Sequence, residues 1–206
     1  MKGSERDVVF NSLIKISELL LKECESLAEI IDYTEDAPNV VKRVIAHEED
    51  ADDTLRELNF FFCENMLLED SEARSVYLII EAVELCTDQL EELARDFIRY
   101  NITSVRDNCV TSILDFERAA KKTCDLVFKL RDKDKINSPY KDIIELDQFK
   151  MEAKKLFDVN MNKLFSTEKD PIEIMKWERI YRSIYAVFEA YEQVSITCAK
   201  YNLAWQ

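Results

Sequence analysis

The sequence predicts an all-α fold of six long helices, and three observations point there. Apolar residues recur at three- and four-residue steps over stretches of roughly 25–35 residues, the spacing that stripes one face of a helix. The 206 residues include one Gly and three Pro, against about 7% Gly in an ordinary domain. With only Gly3, the chain lacks glycine for tight hairpins, dinucleotide-binding loops or P-loops. Finally, capping side chains and prolines fall where the periodic stretches begin.

The first helix opens at Ser4-xx-Asp7, a capping box, and runs to about Tyr33, with Val8, Leu13, Ile14, Ile16, Leu20 and Leu27 as its apolar face. Thr34 to Ala37 form a short connection, and Pro38 suits the first turn of a second helix reaching about Leu68. Ser71 caps a third helix, with Glu72 favourably placed for the dipole, and this helix ends near Tyr100-Asn101. Ser104-xx-Asp107 opens the fourth, which stops in the charged stretch 131–135. Asn137-Ser138-Pro139 starts the fifth. Asp170-Pro171-Ile172-Glu173 places an N-cap, a first-turn Pro and an N3 acid together and launches the sixth. At 1.5 Å per residue such helices are about 40–50 Å long, ordinary for bundles.

The two halves match at an offset of about 100 residues, read directly from the numbering. Ser12-Leu13-Ile14 aligns with Ser112-Ile113-Leu114, Cys24 with Cys124, and Asp50-Ala51-Asp52 with Glu152-Ala153-Lys154. Asp88 precedes Tyr100-Asn101 by the interval that separates Glu189 from Tyr201-Asn202. These matches predict tandem three-helix repeats, residues 1–101 and 102–206. The first carries 25 Asp+Glu against 10 Lys+Arg, the second 17 against 18. A net charge of −14 opposes nucleic-acid binding, which needs cations to neutralise phosphates.

The acidic first half holds two pairs at four-residue spacing, Glu48/Asp52 and Glu84/Asp88. Residues four apart share a helix face, so each pair directs two carboxylates one way. If the second and third helices pack together, four oxygen donors converge, a set suited to Mg, Mn, Ca or iron. Glu49 and Glu81 are additional candidate ligands. The competing reading is a solvated acidic face, since like-charge pairs at this spacing cost only about 0.2–0.5 kcal/mol each.

Other candidates are weaker. The six Cys show no CxxC or zinc-type spacing and read as buried reduced thiols. His47, the sole histidine, reads as a surface imidazole rather than a ligand or acid-base catalyst, and Val44 rather than Glu three residues before it argues against a Glu-x-x-His di-iron site. Phe60-Phe61-Phe62 reads as core or interface, and Lys150, Lys154 and Lys155 as a solvated face. A metal-dependent hydrolase would need an added acid, base or oxyanion donor, and none is recognisable. The polar start Met1 to Asp7 and the lack of an apolar run near 18 residues predict a cytoplasmic protein with no transmembrane segment.

Asp170-Pro171-Ile172-Glu173-Ile174-Met175-Lys176-Trp177-Glu178-Arg179-Ile180-Tyr181 resembles the opening of the last helix in PhoU-like proteins that accompany Pit-type inorganic phosphate transporters. His47 to Thr54 resembles that family's acidic segment on helix two, and Glu84-xxx-Asp88 its E/D-xxx-D motif on helix three. The resemblance implies two three-helix bundles and metal clusters, often iron, held by Glu48, Asp52, Glu84 and Asp88. It also implies a non-enzymatic role in phosphate transport at the inner face of the cell membrane, with a Pit-type transporter as partner, and leaves homo-oligomerisation open. In the second half Lys154 stands where Asp52 does, and Tyr185 replaces the first acid before Glu189, so a second cluster is not expected. The alternative is a helical adaptor whose metal sites have decayed.

Overall fold

The apolar periodicity becomes helix throughout the computed structural model of the chain, which describes residues 1–32, 36–132 and 138–205. Its elements are α1 (Gly3–Ala28), α2 (Ala37–Glu64), α3 (Ser71–Arg99), α4 (Asp107–Asp132), α5 (Tyr140–Thr167) and α6 (Pro171–Trp205). Single 3-10 turns follow α1 at Glu29–Asp32 and precede α3 at Leu67–Glu69. No strand occurs among the described residues.

Local chemistry sets most of the ends. Asp170 caps α6 as expected, its carboxylate accepting from the Ile172 N–H at 2.8 Å. Two other expected caps shift. Asp70, not Ser71, caps α3 by accepting from the Ala73 N–H at 2.9 Å. At the start of α1 the acceptor is Glu5, which takes the Lys2 N–H at 2.8 Å. The α helix of α1 stops at Ala28 and α2 at Glu64, short of the expected Tyr33 and Leu68. Met66 and Asn101 have positive φ (51° and 50°), which turns the chain after α2 and α3. Tyr33, Thr34, Glu35 and residues 133–137, which hold the end of the expected charged stretch 131–135 and Asn137 of the expected α5 start, lie outside the described residues.

Helices α1, α2 and α3 pack on one another, as do α4, α5 and α6, with α1 against α4 and α3 against α6 joining the two groups. Side-chain bonds show the directions. Glu72, at the start of α3, accepts from Tyr201 near the end of α6 at 3.0 Å, while Asp96 near the end of α3 accepts from Arg179 and Ser183 near the start of α6 at 2.8 and 2.7 Å. The pair is therefore antiparallel. Asp96 is fully buried, and Arg99 also donates to it. A buried carboxylate requires such partners, because losing them would leave an uncompensated charge.

The core is continuous through both groups. Phe10, Leu13, Ile16 and Leu20 line the inner face of α1, and Phe116 meets Phe188 with ring centroids 4.9 Å apart. Each such side chain contributes about 1.5–3 kcal/mol by burial. Val8 and Ile14, expected inside, lie at the edge of this stripe and stay exposed and half-buried respectively. Tyr191 is buried between the groups, its hydroxyl donating to the Phe116 carbonyl at 3.1 Å.

Candidate metal centre

The apolar stripe of α2 runs Val41, Val44, Ala51, Leu58, Phe62, all buried, and Glu48 occupies the position between Val44 and Ala51 that continues its three-four spacing. Glu84 and Asp88 stand on successive turns of α3, beside the buried Val83, Cys86 and Leu90. Glu48 precedes the end of α2 at Glu64 by 16 residues, and Asp88 follows the start of α3 at Ser71 by 17. Two packed helices joined by a short turn therefore carry these groups at one level.

The electrostatics reflect that placement. Burial raises the Glu48 carboxyl to about 7, and the charges of Glu91, Asp52 and Asp88 push the same way. Glu84 also rises to about 7, first by burial and then through Asp88, Asp52 and Glu48. Asp88 is raised by burial, Asp52 and Glu91. All three are half-buried and make no ion pair among the described residues. Asp52 differs, with the Arg56 guanidinium 3.4 Å away. Glu49 and Glu81 are exposed, acting on Glu48 and Glu84 only through their charge.

Sequence reasoning missed one member of this group. Glu23 on α1 is wholly buried, both its oxygens lack a hydrogen-bond partner, and its carboxyl is held well above the usual range. Burial is the main cause, followed by the charges of Glu48, Glu91 and Asp88. The sequence alone gave no signal, because the buried Cys24 continues the three-four stripe of Leu13, Ile16, Leu20 and Leu27 and leaves position 23 unmarked. A buried carboxyl without a partner is costly.

The donor set is oxygen only. Cys24 and Cys86 lie within the influence of Glu23, but burial pushes both thiols upward, so they stay protonated at neutral pH. An orphaned buried carboxyl beside unpaired carboxylates fits a hard cation. As they stand, no three His, Cys, Asp or Glu side chains among the described residues close into a group able to hold a metal ion. Mutual repulsion of like charges works against such closure.

The remaining candidates sort simply. His47 is half-buried, lowered by that burial and by Lys22 against an opposing pull from Asp50. All six cysteines are free thiols, but Cys63 is exposed and Cys124 half-buried, contrary to the expectation of six buried thiols. Phe62 is core, whereas Phe60 projects outward. In the second half Lys154, Tyr185 and Glu189 line one cleft of about 420 Å³ together with Glu92, Arg179 and Arg182. Lys154 Nζ bonds Asp158 at 3.1 Å and lies 5.3 and 5.5 Å from the ring centroids of Phe157 and Tyr185. Lys150 is paired with Glu192 at 2.8 Å.

No family model matches the chain, and no curated protein matches it. Among the described residues, fold and site together define a helical protein of six α-helices, with buried or half-buried carboxylates that lack ion pairs on three of them. No helix among the described residues is long and apolar enough to cross a membrane.

Proposed function

We propose that the protein is a non-enzymatic, metal-binding regulator of inorganic phosphate transport, built from two three-helix repeats in the PhoU-like manner. The single observation that carries metal binding is the set Glu48, Glu84 and Asp88, partly buried on packed helices and without an ion pair among the described residues. Asp52 completes the ligand set, with Glu49 and Glu81 at its margin. Iron, Mn or Mg would neutralise the charge that these residues concentrate. The link to a Pit-type transporter at the inner membrane face rests on the resemblance of residues 47–54, 84–88 and 170–181. The matches between residues 1–101 and 102–206 at an offset of about 100 support the repeat reading.

The second reading, a helical adaptor with decayed metal sites, is favoured by the lack of a closed ligand group among the described residues. Elemental analysis of purified protein, beside Glu84→Ala/Asp88→Ala, separates the two. Stoichiometric metal that the double variant loses supports the regulator. Metal-free protein whose melting temperature ignores Mn, Mg and iron supports the adaptor. Co-purification with a Pit-type transporter, and altered phosphate uptake when the chain is removed, test the transport assignment independently.

A further inference from the structure

Glu23 is the most anomalous residue in the fold. Among the buried polar side chains it is a carboxyl with neither oxygen hydrogen-bonded. The two other buried acids among the described residues show the usual solution. Asp96 accepts from Arg179, Ser183 and Arg99, and Asp142 is held by Lys122 and Lys129. A structural acid in this protein therefore comes with its donors. Glu23 comes with Glu48, Asp88 and Glu91, all acids. Of these, Glu91 is occupied by Arg95, whose Nε lies 2.8 Å away.

We infer that Glu23 is the inner ligand of a hard-cation site spanning α1, α2 and α3, its carboxylate joining those of Glu48 and Asp88 on one ion. This deepens, and rests on, the cation-binding reading above. It changes what binding does: a site on α2 and α3 alone is a surface feature, whereas one that includes Glu23 ties the central helix to both neighbours from within. The ion would supply the opposite charge that every other buried acid here obtains from Lys or Arg. Oxygen-only ligation, with neighbouring thiols protonated, selects Mn, Mg, Ca or iron over softer metals.

The test uses the full chain, stripped with EDTA and titrated with Mn²⁺ by calorimetry, as wild type, Glu23→Gln and Glu84→Gln/Asp88→Asn. The expected result is tight binding by wild type, at least tenfold weaker binding by Glu23→Gln, and slower amide exchange around residue 23 in wild type on adding Mn²⁺. Glu23→Asp, which keeps the charge but shortens its reach, is also expected to bind more weakly and covers the case in which Glu23→Gln fails to fold. Equal Mn²⁺ affinity in wild type and both Glu23 variants, with loss only in Glu84→Gln/Asp88→Asn, overturns this inference and leaves the proposed function standing. No Mn²⁺ binding by wild type overturns both.

Discussion

Replacing Glu23 by Leu should stabilise the metal-free protein, the reverse of what substitution of a fully buried residue normally does. Leu and Glu have similar volume, so the site needs little repacking. An unsatisfied buried polar group costs about 1–3 kcal/mol, which the change removes. Burying a leucine side chain contributes about 1.5–3 kcal/mol, of which the glutamate methylenes already supply part. The net gain is about 2–4 kcal/mol. For a chain of this size each kcal/mol moves the melting temperature by about 2–4 °C, so a rise of roughly 4–16 °C is expected in EDTA at pH 7. Circular dichroism melts of both proteins, with and without Mn²⁺, measure it. Wild type should recover the difference when Mn²⁺ is added and the variant should not respond, a trade of stability for function. A lower melting temperature for Glu23→Leu in EDTA would refute the reasoning, because it would mean that Glu23 serves the apo fold.

In EDTA, the melting temperature should fall as pH rises from about 4.5 through 7. Glu48 and Glu84 hold their protons to about 7 in the folded state, whereas the unfolded chain releases them near 4.5, so folding is favoured below that window and loses ground across it. Glu48→Gln/Glu84→Gln should flatten the slope, and a wild-type slope that the variant reproduces would remove its assigned cause. Asp96→Ala should lower stability by about 3 kcal/mol in urea titrations, since it strips the buried acceptor of Arg179 and Ser183 at the α3–α6 contact; a change under 0.5 kcal/mol would show that the contact contributes little. In native protein, a thiol reagent should modify Cys63 first, with Cys24, Cys86, Cys109 and Cys198 protected by burial, and Cys63→Ser should abolish that fast phase.

Much of the fold was legible because its signals are local. The Asp170-Pro171 start of α6 needs only neighbouring residues, and the carboxylate to backbone bond is found where the pattern put it. Caps were misplaced where two capable residues adjoin: Asp70 and Ser71 both suit the N-cap, and backbone direction, which sequence does not show, favours Asp70. The site was half legible. Four-residue spacing located Glu48/Asp52 and Glu84/Asp88, but spacing within one helix says nothing about a third helix. Glu23 shows itself only when α1 is known to lie against α2 and α3. Asp96 was missed for the same reason, because its partners lie over 80 residues away on α6.

The distribution of cations along α3 bears most directly on what the cluster is for. Glu91 is bonded by Arg95, Glu92 by Arg99 and Arg179, and Asp96 by Arg99, Arg179 and Ser183. One turn earlier, Glu84 and Asp88 have no such partner among the described residues, and neither do Glu48 and Glu23 across from them. A fold selected for stability alone has no reason to neutralise one stretch of a helix and leave the next bare. The second half supplies a control, because at the position matching Asp52 it carries Lys154, whose ammonium lies over Phe157 and Tyr185 and bonds Asp158. Asp52→Lys should therefore give the first half its own cation. Asp52 is partly exposed and its bond to Arg56 is long at 3.4 Å, so little is lost, and an exposed pair of this kind is worth about 1 kcal/mol or less. The variant should melt a few degrees higher than wild type in EDTA and show no further rise with Mn²⁺. If Mn²⁺ still stabilises Asp52→Lys as much as wild type, then charge neutralisation at this cluster is not what the ion provides.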